Sequence, residues 1–336
     1  MFAYVVRRLL LATFVFVAVS FLAFVLLAAP LDPLWKKYGP AYTPERAAER
    51  HKYDLDEARI KRYFLWAKGT ITGSPSYATH TVCGGRSGTS ACHHLRIWPQ
   101  VWKATRRTAL LAGLSIVAVV FFSLVIGTIA AARPGSVVDG VVRTGSYLTW
   151  SIPAFALAVL LQLLFTRLQL AYGFRPFAIN GLPYPGEAGT GLHFVRVWAQ
   201  HLTLPVFVIS VGFIGSYSRY VRSVMLVSLH EPYATTARAK GLTERRVVIS
   251  HALRNSLIPF VSLLTLEFGA LFGATLVADY VFKQQGLASF LGQMVYDADP
   301  FEAQSLILVG AASVLLFSLL GDLLSSRLDP RIRLAD

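Results

Sequence analysis

Cysteine and histidine side chains are concentrated between residues 80 and 94, and they permit two kinds of chemistry. Cys83 and Cys92 flank a stretch rich in Gly and Ser, which is flexible enough to bring the two sulfur atoms together. His80 and His93 add imidazole nitrogens, and Cys with His binds zinc, although this spacing matches no established zinc motif. The residues leave a disulfide, two free thiols and a metal site open. We expect the disulfide if the segment faces an oxidising compartment.

The motifs of nucleotide binding and of the commonest hydrolytic sites are incomplete. No glycine is followed directly by lysine, which excludes the phosphate-binding loop of nucleotide hydrolases. His230-Glu231 begins like a zinc-protease helix, but the second histidine position is Ala234. The Gly-x-Ser-x-Gly turn of many hydrolases does not occur. We expect a chain with no catalytic residues, no metal site and no cofactor of its own.

One carboxylate, Glu267, lies deep inside a long apolar run, and Asp279 follows at the end of that run. A carboxylate in a membrane is costly and usually faces a cavity or a partner. A place beside a path through the membrane and a packing hydrogen bond to another subunit both fit Glu267. For Asp279 the same path and a subunit interface stay open.

The elements that position these residues are predicted to be membrane helices. Of the 336 residues, 54% are apolar and only 15% are charged, against about a quarter charged in soluble domains. Six runs reach the roughly 20 residues that cross a bilayer as a helix. They are Leu9–Ala29, Ala109–Ala132, Gly145–Phe165, Val197–Ser218, Ser256–Ala278 and Ala303–Gly321. We predict an all-α integral membrane protein with six transmembrane helices.

The first run exceeds the 7–15 apolar residues of a signal peptide, so we predict that it stays as a membrane helix. The domain organisation expected is an N-terminal helix over 1–30, an extracytoplasmic insertion over 31–108 and a five-helix core over 109–336.

Positively charged residues predict which side of the membrane each loop faces. The net charge is +14, and 14 basic residues lie in the N-terminus, residues 133–144, residues 219–255 and the tail, against 4 in the short loops opposite. The third opposite segment, 31–108, also holds 14, but it is longer than the roughly 60 residues to which the charge rule applies. Basic loops stay in the cytoplasm, so both termini are predicted to be cytoplasmic. Lys103, Arg106 and Arg107 run against this pattern. The cations are scattered over both sides, whereas a nucleic-acid-binding protein gathers them in one stripe.

The outer segment contains two predicted helices and a loop. Thr43-Pro44-Glu45 has a capping residue, a proline at the first helical position and an acid in the first turn. Asp54 and Glu57 approximate a capping box, and Ile60, Phe64 and Ala67 then form an apolar stripe that ends at Gly69. The Gly-, Ser- and Thr-rich residues 69–92 predict a loop.

The inner loop between the fourth and fifth runs predicts two helices around one glycine. Pro232 opens the first helix, where its missing N–H costs nothing, and Gly241 supplies the left-handed conformation that ends it. Thr243 then caps a second helix that runs toward Pro259. The small residues Ala234, Ala237 and Ala239 would allow close approach of another protein, although a solvated amphipathic linker fits the same residues.

This inner loop resembles the EAA loop of ABC importer permeases, specifically the B-type subunits of oligopeptide and dipeptide importers. The matching residues are Glu231, Tyr233, Thr236-Ala237-Arg238-Ala239-Lys240-Gly241-Leu242, His251-Ala252-Leu253-Arg254-Asn255 and Pro259. Further matches are Arg7-Arg8-Leu9-Leu10, Asp32-Pro33, Asp56, Arg62-Tyr63, Trp66, Ser151-Ile152-Pro153, Asp279 and Asp329-Pro330-Arg331-Ile332-Arg333-Leu334. The departures are Thr235 in place of an arginine, Leu31 in place of a glycine, and a longer outer segment between Gly69 and Trp98.

The resemblance implies a type I permease subunit of an ATP-driven peptide importer in a bacterial plasma membrane. A second, homologous permease would pair with it, and two cytoplasmic ATPases would bind ATP and Mg²⁺. A substrate-binding protein would deliver peptide to the outer face. The residues implied to couple the permease to an ATPase are Glu231, Tyr233, Thr236, Ala237, Arg238, Ala239, Lys240 and Gly241.

Two other functions stay open at this point. Related permeases share this loop and carry nickel, glutathione or another small solute. A membrane-embedded enzyme or a signalling subunit would use the inner loop to bind a partner without transport.

Overall fold

The computed structural model describes residues 2–28, 43–52, 55–72, 79–84, 91–184, 186–187, 189–297 and 300–328. Asp32-Pro33, Asp54 and the motif that begins at Asp329 lie outside these residues. The described chain forms two compact units. The first unit comprises Met1–Val5, Thr108–Gln284 and Leu316–Asp336, and the second comprises Val6–Arg107 and Gln285–Leu315.

The elements are almost all helical. In chain order they are α1 (Phe2–Ala23) with a π turn over Phe24–Ala28, α2 (Pro44–Lys52), α3 (Arg59–Thr72), β1 (Thr79–Gly84), β2 (Ala91–Arg96), α4 (Ile97–Ala132), α5 (Val137–Ser151), α6 (Ala154–Tyr172), α7 (Gly191–His230), α8 (Pro232–Ala239), α9 (Glu244–Arg246) with a π turn over Val247–Leu253, α10 (Arg254–Leu266), α11 (Phe268–Val281), α12 (Leu287–Asp297) and α13 (Pro300–Leu328).

Within the described residues, six helical stretches are long and apolar enough to cross a membrane, which confirms the predicted fold class. They are Val6–Leu26, Trp98–Ala132, Ala154–Tyr172, Gly191–His230, Glu244–Leu266 and Gln304–Gly321.

The third predicted span is wrong in its position. A single helix over Gly145–Phe165 was expected, but α5 ends at Ser151 and the membrane-length helix α6 begins at Ala154. Pro153 causes the break, because its ring drives the preceding residue, Ile152, out of the helical region to φ −87° and ψ 117°.

The fifth predicted span, Ser256–Ala278, is interrupted at Glu267. Helix α10 ends at Leu266, Glu267 has φ −87° and ψ 0°, and α11 begins at Phe268. The Thr265 hydroxyl donates to the Val261 carbonyl at 2.8 Å, a contact one turn back that tends to bend helices. Pro259 lies inside α10 rather than at its end.

The first unit is built around α7, which has 40 residues and contains Pro205 without ending there. At 1.5 Å per residue α7 is roughly 60 Å long, about twice the 30 Å of a bilayer core, so it extends beyond the apolar layer. Its buried side chains, including Ile209, Tyr217 and Met225, form one core with residues of α4, α6, α8, α10 and α11.

The second unit has a small aromatic core. Phe24, Tyr63 and Trp66 lie together, with ring centroids 5.6–5.9 Å apart, and Leu55 and Leu308 complete the cluster. Tyr63 donates its hydroxyl hydrogen to Ser20 Oγ at 3.2 Å, and Gln304 Nε2 donates to the Ser20 carbonyl at 2.8 Å.

Two predictions for the outer segment need correction. Helix α3 begins at Arg59 and continues past Gly69, and its buried side is Arg62, Tyr63 and Trp66, whereas Ile60 and Phe64 are 61% and 65% exposed. Aromatic packing on α1 decides which side is covered. The predicted loop over 69–92 contains the antiparallel strands β1 and β2. The cap at Thr43 is confirmed, since Thr43 Oγ1 accepts from the Arg46 N–H at 3.2 Å.

Candidate functional site

The short helix α8 is bounded by the residues that the sequence indicated. Glu231 is extended, Pro232 is the first helical residue, and Gly241 adopts the left-handed conformation at φ +78°. The Gly241 N–H donates to the Arg238 carbonyl at 2.9 Å and the Leu242 N–H to the Ala237 carbonyl at 3.3 Å. These bonds satisfy carbonyls that a helix end leaves without partners, so the predicted local structure is confirmed.

One side of α8 is covered by its own chain. Ala234 and Ala237 are 0% and 4% exposed, and they share the core of the first unit with Val247, Val248 and Ala252 of the second π turn. The two alanines therefore allow close packing within the chain, and neither side chain is open to a partner here.

The other side of α8 forms an exposed polar surface. Its residues are Glu231, Pro232, Tyr233, Thr235, Thr236, Arg238, Ala239 and Lys240. We call these residues the α8 surface.

Arg238 connects α8 to the helices on both sides of it. Its Nε and Nη2 donate to the two carboxylate oxygens of Glu244 at 3.0 and 2.8 Å, and its Nη1 donates to the Leu229 carbonyl at 2.9 Å. The hydrogen bonds that Arg238 donates to Glu244 raise the pKa of Arg238 above its usual value. A planar guanidinium suits this forked contact, which a lysine does not reproduce. One side chain thus joins the end of α7 to the start of α9.

A buried ion pair joins α5 to α7. Asp139 is 0% exposed, and its carboxylate accepts from Arg222 Nη2 at 2.7 Å, from Arg222 Nε, and from the Gly135 N–H at 2.9 Å. The hydrogen bond from Arg222 lowers the pKa of Asp139 to about 2. Sequence analysis missed this pair, although Asp139 is the only acid between Glu57 and Glu187.

Helices α5 and α7 meet closely at a glycine. A Cβ atom on Gly215 would lie 2.1 Å from Thr149 Oγ1 and 3.1 Å from Ser146 Cα. On the same helix, a Cβ on Gly212 would have its nearest neighbour at 3.6 Å, an ordinary contact. A side chain at position 215 would therefore require Thr149 and the Ser146 backbone to shift.

Polar side chains that no motif indicated fasten the loop after α6. Gln162 Nε2 donates to Asn180 Oδ1 at 2.7 Å and to the Val281 carbonyl at 2.9 Å. Gln284 Nε2 donates to the Gly181 carbonyl at 3.3 Å, and His201 Nδ1 lies 2.8 Å from the same oxygen. The loop is therefore fixed against α6, α7 and the end of α11.

The two acids predicted near a substrate path occupy different environments. Glu267 is half-buried at the break between α10 and α11, whereas Asp279 is 0% exposed inside the first unit. The structure does not bring them together into one site.

The two cysteines lie opposite each other in the β1–β2 hairpin. The antiparallel register pairs Cys83 with Cys92 directly. Opposite residues in such a ladder have Cα atoms about 4.5–5.5 Å apart, within the range that disulfides span. The disulfide stays a prediction. Among the described residues, no group of three or more His, Cys, Asp or Glu side chains is arranged to hold a metal ion.

Comparison with known proteins identifies the family. Residues 123–334 match the model of the binding-protein-dependent transport system inner membrane component, and residues 1–112 match the N-terminal model of such membrane components. The chain is 30% identical to the oligopeptide transport system permease protein OppB of Mycobacterium bovis, over 99% of both chains.

Two further relatives cover the same length. The di/tripeptide transport system permease protein DppB of Pseudomonas aeruginosa is 31% identical, and the oligopeptide transport system permease protein AppB of Bacillus subtilis is 28% identical, each over 99% of both chains. The resemblance inferred from the inner loop is therefore confirmed: the chain belongs to the family of inner membrane components of binding-protein-dependent transport systems.

Proposed function

We propose that this chain is a permease subunit of an ATP-driven importer of oligopeptides or dipeptides in a bacterial plasma membrane. The full-length similarity to peptide permeases supports the substrate class. The observation that carries the mechanism is helix α8, whose exposed surface includes Arg238. Arg238 is bonded to Leu229 at the end of α7 and to Glu244 at the start of the membrane-length stretch Glu244–Leu266.

Coupling follows from how Arg238 is held. A partner that pushes on α8 moves Arg238, and Arg238 is bonded both to Leu229 at the end of α7 and to Glu244 at the start of α9. The displacement therefore reaches two membrane-crossing stretches at once. Closure of a cytoplasmic ATPase on α8 would then shift these helices between inward-open and outward-open arrangements, which is alternating access.

The remaining assembly follows from the proposed coupling. The chain contributes no nucleotide site, so two ATPase subunits with ATP and Mg²⁺ supply the energy. A homologous second permease completes the passage, and an extracytoplasmic binding protein delivers the peptide. Both termini and α8 lie in the cytoplasm, and the 31–108 insertion faces outward.

Copurification from native membranes tests this proposal. The solubilised chain is expected to bring down a second six-span subunit, two ATPases and a binding protein, with ATPase activity that peptide stimulates. Recovery of the chain alone, without ATPase activity, would support an enzyme or a signalling subunit. Stimulation by nickel or glutathione but not by peptides would reassign the substrate.

We place Glu267 beside the substrate path. A half-buried carboxylate at a helix break within an apolar run fits the pattern of functional acids in membrane proteins. Glu267→Gln should lower the rate of peptide uptake several-fold at unchanged protein level, and Glu187→Gln, an exposed acid outside that helix pair, should not. Wild-type uptake by Glu267→Gln would leave the carboxylate with a packing role.

We also propose that Cys83 and Cys92 form a disulfide on the outer side. Intact mass should rise by two hydrogen atoms on reduction, and an unchanged mass would contradict the pairing. The bond closes a short loop and would contribute about 2–3 kcal/mol to local stability.

A further inference from the structure

A cationic cavity lies between α4 and the start of α12 in the second unit. Its volume is about 470 Å³, within the range of small-ligand pockets. The lining residues are Gln100, Lys103, Ala104, Arg107, Gln285, Ser289 and Phe290. Two side chains are basic and none is acidic, so the cavity favours an anion with several hydrogen-bond acceptors.

One wall of this cavity is held in a strained conformation. Arg107 Nη1 donates to Gln285 Oε1 at 2.8 Å and to the Gln285 carbonyl at 3.2 Å. Gln285 has φ +55°, a left-handed conformation that residues with a side chain rarely adopt. Strain of this kind concentrates at ligand sites, where surrounding contacts maintain it.

The ammonium group of Lys103 is open to a ligand, whereas the guanidinium of Arg107 already donates to Gln285. The Lys103 side chain is exposed, and within the described part of the chain no carboxylate lies within ion-pair distance of its ammonium group. The two basic residues are two of the three that run against the charge pattern of the loops, the third being Arg106, so membrane orientation does not explain them.

The depth of the cavity matches the headgroup layer of a bilayer. The apolar run of α4 begins at Ala109, so Arg107 and Lys103 lie about 3 and 9 Å beyond it along the helix. The interfacial layer adds about 5–8 Å on each side of the hydrocarbon core, so Arg107 lies within this layer and Lys103 at its outer edge. Trp102 is 65% exposed, and tryptophan is enriched at this level of membranes.

We propose that this cavity binds the phosphate of an anionic phospholipid, with Lys103 and Arg107 contacting the phosphate oxygens and Gln100 and Ser289 contacting the rest of the headgroup. Phe290 and Ala104 give the cavity an apolar part for the glycerol backbone. The lipid fastens α4 to the segment that follows α11. This proposal depends on the chain being a membrane protein and is independent of what the permease transports.

Native mass spectrometry of the detergent-purified complex tests the site. After delipidation, the complex is titrated with dioleoyl phosphatidylglycerol or dioleoyl phosphatidylcholine, and the apparent Kd is compared for wild type, Lys103→Gln and Arg106→Gln. Arg106 is a matched control because it is exposed on the same helix and does not line the cavity.

The expected result is that Lys103→Gln weakens phosphatidylglycerol binding about fivefold, while Arg106→Gln and binding of phosphatidylcholine stay at wild-type values. Lys103→Arg should retain the affinity, which separates loss of charge from misfolding. Equal weakening by Arg106→Gln would mean general surface attraction and would overturn the site. Displacement by soluble glycerol phosphate or a tripeptide, without preference for phosphatidylglycerol over phosphatidylcholine, would overturn the lipid as the source of the anion.

Discussion

At the scale of single residues, two arginines join helices of the first unit in different ways. Arg238 is exposed, and it holds α8 in place by its forked contact to Glu244 and its hydrogen bond to the Leu229 carbonyl. Arg222 instead neutralises a buried charge, because the carboxylate of its partner Asp139 is completely buried. Arg238 belongs to a motif that the sequence displayed, whereas Asp139 and Arg222 are 83 positions apart and meet only in the folded chain.

Replacing Arg238 should uncouple the permease without unfolding it. Arg238→Gln removes the fork to Glu244, so a push on α8 no longer reaches α7 and α9 together. We expect peptide uptake to fall about tenfold or more while ATPase activity and protein level persist, since exposed ion pairs contribute only about 0–1 kcal/mol to stability. Uptake per ATP hydrolysed in proteoliposomes measures this. Arg245→Gln, another exposed cation nearby, should retain coupling; equal losses in both variants would argue against the fork.

Removing one charge of the buried pair should destabilise the protein strongly. Asp139→Asn leaves Arg222 without its carboxylate, and breaking such a pair costs about 3–5 kcal/mol. Thermal unfolding in detergent should show a clear drop for Asp139→Asn, and Asp139→Asn with Arg222→Met should recover part of it. No recovery in the double variant would mean that the aspartate acts through Gly135 instead.

The same pair predicts a dependence on pH. The pKa of Asp139 is about 2 in the folded chain against 3.8 for an unperturbed aspartate, so ionisation stabilises the fold above pH 3.8. This contribution should decline as the pH falls from about 4 toward 2. Unfolding midpoints of wild type and Asp139→Asn should therefore converge over that range, and a constant difference would contradict it.

At the scale of elements, two breaks within apolar runs determine where the helices of the first unit end and begin. Pro153 separates α5 from α6, and the kink at Glu267 separates α10 from α11. The shortened α5 can then pack along α7, where Gly215 admits its backbone.

The close contact between α5 and α7 can be tested by adding one methyl group at Gly215. Gly215→Ala places a Cβ against Thr149 and the Ser146 backbone, and such overpacking costs about 1–3 kcal/mol. Gly212→Ala, with ordinary spacing around it, should leave the unfolding midpoint nearly unchanged. Similar midpoints for the two variants would show that α5 moves aside freely.

At the scale of the whole molecule, orientation in the membrane is the main expectation to check. The basic residues place α8 in the cytoplasm and the loop after α6 outside. In a background with both native cysteines replaced by serine, Val137→Cys is placed in the basic 133–144 segment, at a residue that is 83% exposed and outside the α8 surface. It should react with an impermeant maleimide only after cells are permeabilised. Tyr184→Cys, at a residue 78% exposed, should react in intact cells, and the reverse pattern would invert the topology.

The sequence by itself determined the membrane class, the number of membrane-length helices, the family and the local form of α8, because each of these depends on composition or on residues close together in the chain. Pro232 and Gly241 set the ends of α8 through backbone preference alone. The tertiary structure decided which alanines of α8 are buried, which face of α3 packs, and that Asp139 meets Arg222. These outcomes depend on contacts between distant segments, where packing and desolvation override local preference, so a single sequence carries little signal for them.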